Sequence, residues 1–342
     1  MADTLQQLLR ARVADDGPAV KYGERVWSWR EHLGDASAVA AAVLGIADSK
    51  RPLHVGALLG NTPEMLTAMA AAALGGYVLC GINDTRRGEA LARDIVRADC
   101  QILLTDAAHR GLLDGLELPG VRVFDTSSGD WPDLLASAGP LTPHREAAPT
   151  DTFMMIFTSG TSGEPKAVQV THLTVLFAGT TLIERFGVTD SDVCYLSMPL
   201  FHSNALLAGW SVAVGSGAAM VPATFSASRL LADLRRYGAT YMNYVGKPLA
   251  YVLATPEQPD DHDNPLRVPS ATRPATATSP SSAGGSTARC GTASAPPKAR
   301  SSSPARTAAR RARWAGAFPA WPSTTPTPSP NALPPASTTT AP

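Results

Sequence analysis

Apolar side chains recur at helical spacing in several stretches of the chain, and most of these stretches begin with a capping residue. Ser28 precedes Glu31 by three positions, a spacing at which each side chain can bond the other residue's backbone N–H. Thr62 lies before Pro63, and proline is favoured at the first position of a helix. The pattern predicts helices over residues 5–13, 29–44, 63–74, 87–98 and 227–237.

Short apolar runs between these helices predict β-strands. Residues 19–22 and 25–27 flank a turn and predict a hairpin. Strands that alternate with helices of about ten to fifteen residues are typical of a parallel sheet covered by helices, so we predict an α/β fold. The remaining strands are predicted over residues 54–59, 77–80, 101–105, 153–157, 167–170, 193–196 and 240–245.

A long uncharged run between Asp192 and Arg229 has two interpretations. Its 36 residues contain no acidic or basic side chain other than His202, as a membrane span would require. Prolines and glycines, however, divide the run into pieces of strand and helix length. We therefore favour a buried α/β core and expect no transmembrane segment.

The formal net charge of zero conceals an uneven distribution. Residues 269–342 contain seven Arg, one Lys and no acidic residue, so the first 268 residues hold 21 basic and 29 acidic side chains. A mildly acidic body argues against a nucleic-acid partner. The N-terminus lacks the features of a signal peptide, and Cys80, Cys100, Cys194 and Cys290 form no CxxC pair. We expect reduced thiols, no metal site and a cytoplasmic location.

The composition changes abruptly near residue 268. Of the 74 residues that follow, 56 are Ala, Pro, Ser or Thr, and none is Val, Ile or Met. Such a segment has no apolar core of its own, so we predict a partial domain over 1–268 and a disordered tail over 269–342. In all, 70 of the 74 residues belong to types whose codons carry G or C in second position, which favours an out-of-frame translation. A genuine linker or a basic interaction tail is the alternative.

A loop of small residues after an apolar strand carries the clearest chemistry. It reads TSGTSGEPK from Thr158 to Lys166. Gly160 and Gly163 tolerate the positive φ that turns successive N–H groups inward, and Lys166 adds a cation, so the loop suits a polyphosphate. It is not a GxxxxGK[ST] loop, because Lys166 is followed by Ala167. A solvated Ser/Thr/Gly hairpin is the alternative.

This loop, with the strand before it and Val170-Thr171-His172 after it, resembles the phosphate-binding signature of the adenylate-forming (AMP-binding) acyl-CoA synthetases. The resemblance covers about residues 18–267 and implies the helix-covered sheets of the N-terminal domain of these enzymes. It implies that Lys166 is catalytic. It also implies that the phosphates of ATP contact Thr158, Ser159, Gly160, Thr161, Ser162, Gly163 and Lys166.

Two later regions also resemble this family. Met198-Pro199-Leu200-Phe201-His202 resembles its second core motif, which borders the acyl pocket, although a lone histidine here is more typical of a hydrogen-bonded structural residue. Segments at 244–246, 251–253 and 259–264 resemble the branch of fatty acid transport proteins and very-long-chain acyl-CoA synthetases. Lys247 departs from that branch, which usually has Glu. The resemblance implies substrate contacts for Phe201, His202, Asn204, Tyr244 and Gly246.

The resemblance implies an ATP-dependent fatty acid–CoA ligase, with ATP, Mg²⁺ and coenzyme A as its requirements and peripheral membrane contact left open. The alkyl chain would lie against Phe201, Leu206, Leu207 and Trp210. The family's Mg²⁺-binding Glu, ribose-binding Asp and C-terminal catalytic Lys are not found after Val268, so we expect this chain to be truncated and inactive. The alternatives are a non-catalytic nucleotide- or acyl-binding protein, and an acyl-adenylate ligase that uses a carrier-protein acceptor.

Overall fold

Residues 2–158 and 166–271 are described by the computed structural model. They form two six-stranded sheets with helices between and around them, which confirms the predicted α/β class. Each sheet is parallel except for one antiparallel strand at an edge. Central strands of such sheets are covered on both faces, which explains why they read as continuous apolar runs.

The first sheet has the strand order β6-β5-β3-β4-β7-β8, and β8 is its antiparallel edge. Because its other strands are parallel, their carboxyl ends open at one edge of the sheet. Its strands are β3 (His54–Leu58), β4 (Val78–Gly81), β5 (Ile102–Thr105), β6 (Arg122–Asp125), β7 (Thr152–Thr158) and β8 (Lys166–Thr171).

The second sheet has the order β12-β11-β9-β10-β1-β2, and β2 is its antiparallel edge. The N-terminal hairpin thus joins strands that come much later in the chain. Its strands are β1 (Pro18–Tyr22), β2 (Arg25–Ser28), β9 (Val193–Leu196), β10 (Ala219–Pro222), β11 (Tyr241–Tyr244) and β12 (Val268–Ala271).

Ten α-helical segments are found in the described residues, with a 3₁₀ turn at Arg110–Leu113 and a π-helical turn at Leu206–Trp210. The π turn joins α7 to α8 without a break. The helices are α1 (Leu5–Arg10), α2 (Trp29–Ile46), α3 (Pro63–Gly75), α4 (Gly88–Arg97), α5 (Trp131–Ser137), α6 (His172–Phe186), α7 (Ser203–Ala205), α8 (Ser211–Ser216), α9 (Leu230–Tyr237) and α10 (Gly246–Ala254).

The largest apolar cluster takes residues from α2, α3 and both sheets, so the two sheets share one core. It includes Val43 of α2, Met69 of α3, Leu79 of the first sheet and Leu196 of the second, all fully buried. Burying one such side chain contributes about 1.5–3 kcal/mol. The shared core therefore fixes the two sheets relative to each other, and with them the edges at which their strands end.

Most predicted helix signals are confirmed, and three are corrected. The Ser28–Glu31 capping box is complete, and Gly76 ends α3 with a positive φ of 71°. Thr62, however, makes no side-chain cap bond to α3. The helix predicted from residue 227 begins at Leu230, because the preceding residues form a turn in which Leu230 N–H donates to the Ser226 carbonyl (3.0 Å). The first helix ends at Arg10, three residues short of the predicted end.

Candidate functional site

The predicted phosphate loop joins β7 to β8 at the carboxyl edge of the first sheet. Thr158 and Lys166 lie opposite each other in the antiparallel pair, and Lys166 is exposed. The rest of the predicted loop lies outside the described residues: Ser159, Gly160, Thr161, Ser162 and Gly163. The structure thus gives the position of the loop's two ends, and phosphate binding remains a prediction.

A close contact at Gly81 brings the second predicted motif to the same edge. Gly81 ends β4 and pairs with Ile156 of β7, two residues before Thr158. A Cβ atom on Gly81 would lie 3.0 Å from Cβ and 3.1 Å from Cα of Phe201. Only a residue without a side chain permits so close an approach. The Phe201–His202 segment therefore packs against the strand next to the one that enters the loop.

Asn61, which follows β3, joins the ends of the two sheets by hydrogen bonds. Its Nδ2 donates to the carbonyls of Leu196 (3.0 Å), Met198 (2.8 Å) and Ala223 (3.1 Å), and its Oδ1 accepts from Leu200 N–H (3.0 Å). These partners lie at the carboxyl ends of β9 and β10. One half-buried amide thus fixes the path of the chain into Phe201 and His202.

His202 is half-buried beside Phe201, with ring centroids 4.5 Å apart. Burial lowers the pKa of His202 below its ordinary value, and the nearby negative charge of Asp84 partly offsets this effect. A neutral imidazole at pH 7 accepts and donates hydrogen bonds without carrying charge. The geometry thus suits a packing and hydrogen-bonding role at the edge of a pocket.

Asp84, Asp106 and His109 form a polar cluster at this edge that the motifs did not indicate. His109 Nδ1 lies 2.6 Å from Asp106 Oδ1, and its Nε2 lies 3.6 Å from Asp84 Oδ2. Asp106 also accepts from the backbone N–H of His109 (2.9 Å) and of Gly60 (3.3 Å). Asp84 comes three residues after β4, and Asp106 comes directly after β5. Polar residues that follow parallel strands meet at one edge of the sheet, and this position in the sequence could have indicated the cluster.

The predicted substrate residue Asn204 lies in α7, at the start of the helix that contains the π turn. Asn243 Nδ2 donates to Asn204 Oδ1 (2.7 Å), and Tyr241 donates its hydroxyl to the Ala208 carbonyl (2.6 Å). A π turn leaves backbone groups out of the regular helical pattern, and such turns are frequent at functional sites. Side chains of β11 thus hold this helix in place.

Tyr244 and Gly246 lie at the end of β11 and the start of α10. Burial raises the pKa of Tyr244, which keeps its phenol protonated. With Ser197, Met198 and Met242, Tyr244 lines a cavity of about 10 Å³, room for about one water molecule. No alkyl chain fits this cavity without movement of its walls.

Leu206 and Trp210, predicted to contact the alkyl chain, are both fully buried in the shared core. Trp210 stacks on Phe153 with centroids 5.4 Å apart, and its indole N–H is buried without a hydrogen-bond partner. Leu207 is only partly buried against the same core. Two of the four predicted lining residues therefore pack the protein interior rather than an open channel.

Within residues 2–158 and 166–271, no group of three or more His, Cys, Asp or Glu side chains is placed to hold a metal ion. Over the same ranges, none of the helices has the length and apolarity that crossing a bilayer requires. Cys80, Cys100 and Cys194 are buried free thiols, and Cys290 lies outside the described residues.

Sequence comparison finds relatives over most of the chain. A medium/long-chain-fatty-acid–CoA ligase of Mycobacterium marinum is 51% identical over 268 residues, which are 77% of this chain and 52% of that protein. A steroid-22-oyl-CoA synthetase of Rhodococcus jostii is 40% identical over 269 residues, 77% of this chain and 48% of that protein. The chain thus spans about half the length of the curated relatives it matches.

Solved structures confirm the fold, and a family profile identifies the family. A putative long-chain-fatty-acid CoA ligase of Rhodopseudomonas palustris superposes with a TM-score of 0.68 at 22% identity, over 79% of this chain and 70% of that one. Anthranilate CoA ligase AuaEII, in complex with anthranoyl-AMP, gives 0.71 at 19% identity, over 79% and 55%. The profile of the AMP-binding enzymes matches residues 9–306, and the chain therefore belongs to the AMP-binding enzyme family.

Proposed function

We propose that this chain is the N-terminal part of an ATP-dependent fatty acid–CoA ligase. The observation that carries the proposal is the contact at Gly81, which puts the ends of the predicted phosphate loop and the Phe201–His202 segment at one edge. A ligase of this kind must hold a polyphosphate and a carboxylic acid side by side. Relatives named as medium/long-chain-fatty-acid–CoA ligases, at 51% and 49% identity, support the same reaction.

The reaction has two steps. The fatty acid carboxylate attacks the α-phosphorus of ATP and pyrophosphate leaves, which gives an acyl-adenylate. The thiol of coenzyme A then attacks the acyl carbonyl, and AMP leaves. Negative charge builds on the departing pyrophosphate in the first step, and the ammonium group of Lys166, with the N–H groups of the loop, would stabilise it.

The acyl chain would enter through the small cavity beside Tyr244. Met198 and Met242 line it, and unbranched methionine side chains change rotamer readily, so that the cavity can widen. Each CH₂ group buried there would contribute about 0.8 kcal/mol to binding. Phe201 and His202 would then border the carboxylate end of the acid, with Asn204 behind them.

The Mg²⁺ that the family implies is held in such sites by one or two carboxylates together with the phosphates of the substrate. We assign no residue of this chain to the metal and derive no step from it.

We further propose that residues 1–268 are the ligase portion and that residues 269–342 are translated out of frame. The composition of the second segment supports this. The match to the family profile continues to residue 306, so the boundary at 268 rests on composition alone. The test is the genomic DNA across codon 268. A YGxTE motif in another frame is expected, and a single intact frame would contradict the proposal and favour a non-catalytic binding protein.

The substrate is tested in the frame-restored enzyme by following AMP release and thioester formation. Medium- and long-chain fatty acids are the expected substrates, with coenzyme A required for the thioester. A steroid side-chain acid is the second candidate, because the Rhodococcus jostii relative is a steroid-22-oyl-CoA synthetase. Adenylate formed without transfer to coenzyme A would indicate a carrier-protein acceptor, and no adenylate with either class of acid would refute the ligase.

A further inference from the structure

A second cavity lies between three helices, away from the predicted phosphate and acyl residues, none of which lines it. We call it the α2–α3–α5 cleft. Its volume is about 520 Å³, within the range of about 300–1,000 Å³ typical of small-molecule sites. Each helix contributes positions three or four residues apart, namely Asp35 and Ala38, Glu64 and Thr67, and Trp131 and Leu135.

The cleft is open because its facing positions are small. Ala38 of α2, Ala68 of α3 and Ala136 of α5 line it, so little side-chain volume from these three positions fills the space between the helices. The cleft opens to solvent at Arg25, Asp35 and Glu64, which are exposed, so a small ligand can enter it without rearrangement of the helices.

Two tryptophans form apolar walls of the cleft. Trp131 is 5% exposed and is fixed by Phe124, with ring centroids 5.7 Å apart. Trp27 comes from the edge strand β2, and the Arg25 guanidinium lies 4.1 Å from its ring centroid. Large aromatic walls bind flat or extended apolar groups, and their electron-rich faces attract cations.

The charges that line the cleft favour a cationic ligand. Asp35 and Glu64 supply two carboxylates, whereas Arg25 is the one cation among the lining residues and stacks on Trp27. Burial raises the pKa of Asp35, and Arg25 partly offsets this effect, so the carboxylate would gain from a second cation. A ligand that carries a carboxylate would instead be repelled by the carboxylates of Asp35 and Glu64.

We propose that the α2–α3–α5 cleft binds a small organic cation, an ammonium group carried on an aromatic or alkyl body. The apolar body would lie between Trp27 and Trp131, and the ammonium group would face Asp35 and Glu64. This site does not depend on the proposed ligase activity, because none of its lining residues takes part in that reaction.

The test is isothermal titration calorimetry on the whole chain with 1-naphthylmethylamine and 1-naphthylacetate, which share an aromatic body and carry opposite charges at pH 7. The amine is expected to bind at least about tenfold more tightly than the acetate. Asp35→Asn should weaken amine binding about three- to tenfold, whereas Asp133→Asn, an exposed position of α5 outside the cleft, should leave it unchanged.

A variant in which the cleft is filled distinguishes amine binding in the cleft from amine binding elsewhere on the surface. Ala136→Trp should fill the cleft from α5 and abolish amine binding. If circular dichroism shows that this variant does not fold, Ala38→Trp should fill the cleft from α2 and give the same result. The proposal is overturned if the acetate binds as tightly as the amine, if neither ligand binds, or if a folded, filled variant still binds the amine.

Discussion

Replacing Asn61 is expected to separate the ends of the two sheets. In Asn61→Ala the carbonyls of Leu196, Met198 and Ala223 lose their donor, and Leu200 N–H loses its acceptor. A hydrogen bond contributes about 0.5–1.5 kcal/mol net, and the three donated bonds share two protons. The free energy of unfolding should therefore fall by about 2–4 kcal/mol.

Asn61→Asp gives a sharper version of the same test. The shape is kept, but a carboxylate oxygen replaces the amide and faces carbonyl oxygens instead of donating to them. The pKa of this new carboxyl should be raised in the folded state, because its protonated form can donate and its charged form is repelled. Relative to the parent chain, the Asn61→Asp substitution should therefore cost little stability at low pH and progressively more as the pH rises toward 7.

The assay is urea unfolding followed by circular dichroism, with Asn83→Ala as the matched control. Asn83 Oδ1 accepts only from the N–H and hydroxyl of nearby Thr85 on the surface, so its loss should cost no more than about 1 kcal/mol. If Asn61→Ala costs no more than Asn83→Ala, or if the cost of Asn61→Asp does not change with pH, the amide does not hold the sheets together.

Three further outcomes are expected. Gly81→Ala places a Cβ 2.7 Å from Met154 Cε and 3.1 Å from Phe201 Cα, and it should lower the unfolding free energy by about 1–3 kcal/mol. The control Gly45→Ala in α2 has open space around its Cβ and should be neutral or stabilising. Equal urea midpoints for the two variants would contradict this prediction. Burial lowers the pKa of His32 to about 4, so the unfolded chain binds a proton before the folded one as the pH falls. Between pH 8 and 5 the parent chain should lose about 2 kcal/mol more stability than His32→Phe, and parallel pH profiles would argue against it. Purified chain 1–342 should form no acyl-CoA from ATP, coenzyme A and any fatty acid, and thioester detected by mass spectrometry would overturn this.

The strands that carry the site are predictable from the sequence because both of their faces are buried. Residues 193–196 are predicted as a strand and form β9 with the same bounds, and the run at 153–157 lies within β7. In contrast, α7, the π turn and α8 lie in an apolar run that has no helical face. Their geometry depends on Tyr241, whose hydroxyl bonds a carbonyl 33 residues earlier in the chain.

The site is only partly predictable, for a related reason. Its loop is predicted from local residues alone, since phosphate binding needs small residues and a cation at fixed spacing. Asn61 and His109 carry no such local pattern, because their roles depend on which strand ends the topology brings together. The carbonyls that Asn61 bonds lie 135–162 residues further along the chain. Leu206 and Trp210 were predicted as pocket lining because an apolar pocket and an apolar core have the same composition.

The central claim is that the loop ending at Lys166 holds the pyrophosphate that leaves when a fatty acid is activated. The most direct measurement is fatty-acid-dependent ATP–pyrophosphate exchange in the frame-restored enzyme, parent against Lys166→Ala, at saturating fatty acid. The parent should catalyse exchange, and the variant should be slower by about 10²–10³, with the concentration of fatty acid for half-maximal rate almost unchanged. No exchange by the folded parent, or an equal rate in Lys166→Ala, would contradict the account.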